Sequence, residues 1–262
     1  MLRQSRESSM QGQIINDLYV ASGGSGARLV VLLHGLGATG AVWHGVTRQI
    51  EQRGWRWIAP DLRGHGRSAS AGPFGLGNHA ADIADLLAQE DPAQVTLFGH
   101  SFGGVVAGVL AGGLFGPVPS RLLTLAVKTD WGTEEIASLQ ALALRPARLF
   151  PTQPEAQERY MKLSGLAGLV APDAPEAGGG TRPVPGGHAL AMDPRVFLAT
   201  GTADVPTILA AARCPLHMAA GTADAMASPD TMRRLDPAAR FLPDLPHNAH
   251  VADPAQIAAL LD

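Results

Sequence analysis

One strand–turn–helix segment constrains this chain more than any other part of its sequence. The apolar, β-prone run 95–98 leads into Gly99-His100-Ser101-Phe102-Gly103, and the small and branched residues of 104–111 can then form a helix. In a G-x-S-x-G turn of this kind the strand and helix backbones approach so closely that only glycine fits at the first and last positions. The pattern predicts a strained backbone at Ser101, with its hydroxyl presented at the tip of a sheet.

Strand-like and helix-like runs alternate along most of the chain, which favours a mainly parallel sheet with helices on both faces. The strand or hairpin patterns lie at 14–21, 28–33, 56–59, 95–98, 121–127 and 214–220. The helix patterns lie at 42–52, 78–88, 104–111 and 205–212. Cys214 falls within the last predicted strand, where we expect a small buried side chain rather than a reactive thiol.

The alternation is interrupted between residues 131 and 203. Thr133 can cap a helix whose first turn carries Glu134 and Glu135, and the segment 152–155 is a capping box that predicts a second helix. We therefore predict a helical insertion at 131–203.

The insertion divides the rest of the chain into two parts that we expect to form one core domain, namely 12–130 and 204–262. Within the insertion, Pro172 to Gly187 is crowded with proline and glycine and is poor in apolar residues. We expect a mobile loop there.

Composition excludes several classes of partner. The net charge is −3 and no basic block is present, so a nucleic-acid-binding surface is not expected. A single cysteine rules out an internal disulfide and fits a reducing compartment. No apolar run is long enough to span a bilayer, and the polar N-terminus lacks the apolar core of a signal peptide. We expect a cytoplasmic protein, monomeric or homodimeric, that does not bind membranes.

A serine hydroxyl needs an adjacent base to act as a nucleophile, and the base needs an acceptor that fixes its tautomer. Downstream of Ser101, Asp224 follows a predicted strand, and His247 and His250 precede the last helix. Asp130 follows another predicted strand and is a second candidate for the carboxylate. Residue type alone leaves both the base and the acid open.

Five ordered segments carry a resemblance to a known family: the His-Gly-x-Gly loop at 34–37, the turn at 61–68, the G-x-S-x-G turn, the G-x-x-D segment ending at Asp224, and His247 seven residues before Pro254. Over residues 12–262 the chain resembles α/β-hydrolase fold proteins of the cap-bearing esterase and lipase type. The resemblance implies an α/β fold with a mostly parallel eight-stranded sheet and an inserted helical cap.

The resemblance also implies a role for each matching residue. Ser101 is the nucleophile, His247 the general base and acid, and Asp224 the carboxylate that orients the histidine. The backbone N–H groups of Leu36 and Phe102 form the oxyanion hole. His250 then becomes a packing residue, and Asp130 a cap for the inserted helices.

The predicted function is hydrolysis of a carboxylic ester of a small, largely apolar substrate through an acyl-enzyme. The alternatives are a carbon–carbon bond hydrolase or a lactonase with the same triad, or a ligand-binding receptor on a hydrolase scaffold. No metal-ligand spacing is present, so neither a metal nor another cofactor is expected. The pocket should lie between the sheet and the insertion. Candidates to line it are Trp43, Trp131, Phe150, Tyr160, Met192 and Phe197.

Overall fold

A computed structural model of the chain describes residues 10–201 and 203–262. Residues 1–9, which contribute to the expectation that no signal peptide is present, lie outside the described residues. The described chain contains one large sheet, helices on both of its faces, and a two-stranded hairpin.

The strands are β1 (Gly12–Ile15), β2 (Leu18–Gly24), β3 (Leu29–Leu33), β4 (Arg56–Pro60), β5 (Val95–His100), β6 (Arg121–Leu125), β7 (Thr181–Val184), β8 (Gly187–Leu190), β9 (Leu216–Gly221) and β10 (Arg240–Leu242). The α-helices are α1 (His44–Gln52), α2 (Leu76–Leu86), α3 (Phe102–Ala111), α4 (Thr133–Ala143), α5 (Gln153–Leu163), α6 (Val205–Ala210), α7 (Pro229–Leu235), α8 (Ala249–Ala252) and α9 (Pro254–Ala258). Short 3₁₀ helices lie at Gly40–Trp43, Pro92–Gln94, Pro175–Ala177, Pro194–Ala199 and Ala259–Leu261. In the described part of the chain, no helix is both long and apolar enough to cross a membrane.

The large sheet has eight strands in the order β1-β2-β4-β3-β5-β6-β9-β10. The first three strands in this order pair antiparallel, and all the remaining neighbours pair parallel. The prediction of a mostly parallel, eight-stranded α/β sheet is therefore confirmed. Because β3 and β5 are central neighbours, the loops that follow them lie side by side at one edge of the sheet.

Two apolar cores cover the two faces of the sheet. Along β3, Leu29, Val31 and Leu33 face one core, whereas Val30 and Leu32 face the other. This alternation follows from the two-residue period of a strand, and it explains why a strand buried on both faces is apolar throughout. Side chains from α2, α3 and α6 complete the first core, and side chains from α1 and α9 complete the second.

The segment at 172–187, for which the sequence predicts a mobile loop, contains regular structure instead. Pro172 to Gly187 contains a 3₁₀ turn and most of the β7–β8 hairpin. The carbonyls of Pro172 and Ala177 both accept from Gln157 Nε2 of α5, at 3.0 and 3.1 Å, and the Gly178 carbonyl accepts from Thr39 Oγ1 at 2.8 Å. Side chains from distant segments thus satisfy backbone groups that the apolar-poor sequence cannot bury by itself.

Two local assignments also differ from the sequence expectations. Gly132, not Thr133, occupies the N-cap of α4, and its N–H donates to Glu135 Oε2 at 2.9 Å. Cys214 precedes β9 rather than lying within it, and its side chain is only partly buried. Both differences are displacements of one or two residues at the ends of elements.

Buried histidines make the fold sensitive to acid. Burial lowers the pKa of five of them, to about 4 for His65, to about 3 for His79 and His250, and well below the ordinary value for His34 and His100. Unfolded histidines take up protons near pH 6.5, so the unfolded chain binds more protons than the folded chain below that pH. The stability they contribute is complete above about pH 6.5 and is lost progressively as the pH falls towards 4. Asp61 acts in the opposite direction, because burial raises its pKa to about 6 and its contribution is lost as the pH rises through that value.

We therefore expect the free energy of unfolding to fall between pH 6.5 and 4.5, by up to about 1.4 kcal/mol per pH unit for each titrating histidine. Five histidines outweigh the single carboxyl. Denaturant unfolding at several pH values measures how steeply the free energy of unfolding falls with pH. His250→Leu should make this fall less steep, whereas His217→Leu, at an exposed position of β9, should leave it unchanged. A stability that is the same at pH 7 and 4.5 would contradict this expectation.

Candidate active site

The turn between β5 and α3 has the strained geometry that its sequence predicts. Ser101 has a φ of 50°, in the left-handed region, and its N–H donates to the Leu125 carbonyl at 2.8 Å. A Cβ atom on Gly99 would lie 2.4 Å from the Gly103 oxygen, and one on Gly103 would lie 2.3 Å from the Leu33 oxygen. These backbone atoms have no room to move apart, so glycine is required at both positions. The turn presents Ser101 between β5 and the first turn of α3.

His247 and Asp224 are joined by a hydrogen bond. His247 Nδ1 lies 3.0 Å from Asp224 Oδ2, and the side chain of Asp224 is completely buried. The other carboxylate oxygen accepts from the Met226 N–H at 2.9 Å. Because a carboxylate can only accept, the neutral imidazole carries its proton on Nδ1 and leaves Nε2 free to accept one.

Ser101 and His247 line the same cavity. Within residues 10–201 and 203–262, no hydrogen bond joins the serine hydroxyl to the imidazole. Such contacts are often long in unliganded enzymes and shorten when substrate binds. The structure thus places Ser101 on the wall of the same cavity as the His247 imidazole, to which Asp224 is hydrogen-bonded.

The competing candidates lie elsewhere. His250 is completely buried, with its ring centroid 4.6 Å from that of Trp43 and 4.4 Å from that of His100. Asp130 Oδ2 accepts from the hydroxyls of Thr129 and Thr231, at 2.8 and 3.3 Å. His250 therefore has a packing role, and among the described residues Asp130 makes no hydrogen bond to either histidine.

The loop after β3 is fixed by buried polar side chains of the 61–68 turn. Gly37 N–H donates to His65 Nε2 at 3.1 Å, and Gly40 N–H donates to Asp61 Oδ1 at 2.8 Å. In the opposite direction, Leu62 N–H donates to His34 Nε2 at 2.9 Å. These reciprocal bonds hold the loop rigidly beside the serine.

Leu36 and Phe102 both line the cavity that Ser101 lines. Phe102 is the first residue of α3, where a helix leaves its N–H groups without partners inside the helix. In the described part of the chain, neither amide donates to another protein group. Both are therefore available to a ligand oxygen.

The cavity has a volume of about 930 Å³ and a mainly apolar wall. Of the six side chains expected to line it, Trp131 and Phe197 do so. The prediction is wrong for the remaining four, which do not line it: Trp43, Phe150, Tyr160 and Met192. An aromatic side chain is as suited to a core as to a pocket, and residue type does not reveal which face of the sheet it meets.

Each of these four side chains has a structural place. Trp43 is completely buried, 5.2 Å from the Phe98 ring, on the face of the sheet that α1 covers. Tyr160 is buried on that same side, so close to Gly180 that a Cβ there would lie 2.3 Å from its ring. Phe150 and Met192 sit in isolated β-bridges, with His188 and His65 respectively.

Two residues that sequence reasoning did not identify hold the segment around His247. His100 Nε2 lies 3.0 Å from the His247 carbonyl, to which it donates. Asn248 Nδ2 donates to the Ser164 carbonyl at the end of α5, at 2.8 Å. Both side chains are buried and line the cavity. Their positions next to Ser101 and His247 in sequence were the only indication available in advance.

Asn248→Asp tests the bond to α5. The change removes a donor and places a carboxylate against a carbonyl in a buried site, so we expect a loss of about 1–3 kcal/mol in the free energy of unfolding. The matched control is Asn78→Asp, in the first turn of α2, where a carboxylate is favoured by the helix dipole and the loss should not occur. Guanidinium unfolding measures both, and equal effects would contradict a specific role for Asn248.

Comparison with known proteins identifies the family of the chain. A family model described as the alpha/beta hydrolase fold matches residues 28–172. Over 147 residues, 55% of each chain, the protein is 34% identical to lipase LipV of Mycobacterium tuberculosis (strain ATCC 25618 / H37Rv). Over 97 residues it is 37% identical to a pimeloyl-acyl-carrier protein methyl ester esterase of Yersinia pseudotuberculosis serotype O:1b (strain IP 31758), covering 37% of this chain and 36% of that one. The matched region thus spans about half of LipV and about a third of the esterase.

Solved structures extend the likeness to the whole chain. A thioesterase domain from the curacin biosynthetic pathway superposes with a TM-score of 0.77 at 20% identity, covering 96% of this chain and 97% of that one. E-2-(acetamidomethylene)succinate hydrolase superposes with a TM-score of 0.75 at 23% identity, covering 93% of each. At these identities the superpositions establish the fold, and the family model covers more than half of the chain. The chain belongs to the alpha/beta hydrolase fold family.

Proposed function

We propose that the protein is a serine hydrolase that cleaves a carboxylic ester of a small, largely apolar substrate through an acyl-enzyme. The observation that carries this proposal is the His247–Asp224 hydrogen bond beside a strained serine on the wall of one apolar cavity. A base whose tautomer is fixed, next to an accessible hydroxyl, is the arrangement that nucleophilic acyl transfer requires.

In the first half of the reaction, Ser101 Oγ attacks the ester carbonyl while its proton passes to His247 Nε2. The Leu36 and Phe102 N–H groups donate hydrogen bonds to the carbonyl oxygen as it becomes negatively charged. One such donor contributes about 2.7–4 kcal/mol of transition-state stabilisation in other enzymes. Asp224 stabilises the imidazolium without taking its proton. The C–O bond to the leaving group breaks, and His247 returns the proton to the departing alcohol.

In the second half, water replaces the alcohol. His247 takes a proton from water, the hydroxide attacks the acyl carbon, and the bond to Ser101 Oγ breaks. The proton returns to Ser101, so each turnover consumes one ester and one water and yields one acid and one alcohol. The proteins to which the chain is similar include a lipase, a methyl ester esterase and a thioesterase domain, and these names are consistent with acyl transfer.

We also propose that the insertion at 131–203 acts as a cap over the core formed by 12–130 and 204–262. Its support is the cavity wall, which combines core residues such as Leu36 and Val105 with Leu139, Leu163 and Phe197 of the insertion. Substrate would then be enclosed between the two parts, with water restricted. Cytoplasmic location and a monomeric or homodimeric state stay predictions from the sequence.

Ser101→Ala should abolish turnover of p-nitrophenyl acetate and butyrate, with a loss of about 10³-fold or more in kcat, because no other group supplies the nucleophile. Ser138→Ala is the control, since Ser138 also lines the cavity but lies on α4. A wild-type protein that acylates once without release would favour the receptor alternative. Turnover of lactones or of carbon–carbon substrates, but not of esters, would favour the other enzymes.

Asp224→Asn should lower kcat by about 10³–10⁴-fold, because an amide can hold the imidazole in the wrong tautomer. The matched control is Asp130→Asn, the same change at a carboxylate that accepts hydrogen bonds from the hydroxyls of Thr129 and Thr231 and not from His247. Steady-state kinetics with p-nitrophenyl butyrate measure both. A dead Asp130→Asn with an active Asp224→Asn would reverse the assignment.

A further inference from the structure

The charges on the cavity wall form a single group at one side. Among the described residues that line the cavity, the side chains with a full charge are Lys128, Glu134 and Glu135. Lys128 follows β6, and the two glutamates occupy the first turn of α4. The rest of the wall is apolar or neutral, so these three residues dominate the electrostatic interaction of the cavity wall with a charged substrate.

The cation in this group is already compensated. Lys128 Nζ donates to Glu135 Oε1, and it lies 4.7 Å from the centre of the Trp131 ring, which covers another side. Only 16% of the lysine side chain is exposed. An anionic group entering the cavity would find this ammonium already paired and covered by a ring.

Glu135 is held in place independently of the lysine. Its second oxygen accepts from the Gly132 N–H at 2.9 Å and so caps the first turn of α4. The Lys128 hydrogen bond, and then that of Gly132, lower the pKa of Glu135, so it is ionised at neutral pH. Glu134 adds a second carboxylate beside it, which leaves the group with an excess of negative charge.

Resting on the ester hydrolysis proposed above, we infer that this group makes the cavity selective for esters without a negative charge, with Glu135 as the residue that sets the selectivity. A substrate carboxylate would lose its hydration in a mainly apolar cavity and would gain no free cation in return. It would also meet the two glutamates. Neutral esters avoid both costs.

The experiment compares two p-nitrophenyl esters of the same chain length, the butyrate and the hemisuccinate, which differ by a terminal carboxylate. The wild-type protein should favour the butyrate in kcat/KM by about tenfold or more. Glu135→Gln keeps an acceptor for the Gly132 N–H but removes the charge that pairs with Lys128. We expect it to lower the ratio of kcat/KM for the butyrate to kcat/KM for the hemisuccinate about five- to tenfold, mainly because KM for the hemisuccinate falls. Adding Lys128→Met to Glu135→Gln should restore the preference.

The matched control is Glu158→Gln, because Glu158 pairs with Lys162 on the exposed side of α5 and does not line the cavity. It should leave the preference unchanged. Equal use of the two esters by the wild type, no effect of Glu135→Gln, or a narrowed preference that survives Lys128→Met would each overturn the inference.

A failure of ester hydrolysis can be distinguished from a failure of the charge selectivity. If the wild type turns over neither ester, ester hydrolysis fails, and the charge preference is then measured as equilibrium binding of the same two esters to Ser101→Ala with and without Glu135→Gln. Tighter binding of the butyrate that narrows with Glu135→Gln supports the charge selectivity, and equal binding contradicts it.

Discussion

The close approach of α3 to the strands β3 and β5 is the contact on which the site depends. Gly103 lies against the Leu33 and His34 carbonyls, and Gly99 lies against the first turn of α3. This approach allows the chain to reverse within one residue, which leaves Ser101 with positive φ and the Phe102 N–H without a backbone partner among the described residues. The strain at that residue is compensated by the apolar burial of almost the whole of α3, which packs against the most central strands of the sheet.

Around this contact, buried polar groups fix the conformation of the loop after β3. Hydrogen bonds constrain direction as well as distance, whereas apolar packing constrains distance alone. His34, Asp61 and His65 each accept from a backbone N–H of the facing segment, and each is almost completely inaccessible to solvent. A partly satisfied network of this kind would destabilise the fold, whereas a satisfied one specifies a single loop conformation. His34 and His65, two of the histidines that make the protein sensitive to acid, therefore also help to hold the loop that carries Leu36.

Much of the fold could be predicted from the sequence, because its determinants are local. The two-residue period of buried strands, the glycines of the serine turn and the capping box at Thr152 each act over a few residues, and each predicts an element that is present. The pocket wall could not be predicted, since residue type does not distinguish Trp43, which is buried in the core, from Trp131, which lines the cavity. The order within 172–187 also escaped prediction, because Thr39 supplies a hydrogen bond from 139 residues away.

The bond between Asn248 and the Ser164 carbonyl joins the residue after His247 to a helix end 84 positions earlier. Gly165 has a positive φ of 70°, and a Cβ there would lie 2.6 Å from Asn248 Nδ2, so glycine at this position leaves room for the asparagine side chain to reach the carbonyl. A displacement of α5 would therefore reach the residue next to His247 through a single hydrogen bond. If the insertion closes over substrate and His247 accepts the proton as proposed, occupancy of the cavity and the alignment of the imidazole would be linked in free energy, so that stabilising one would stabilise the other.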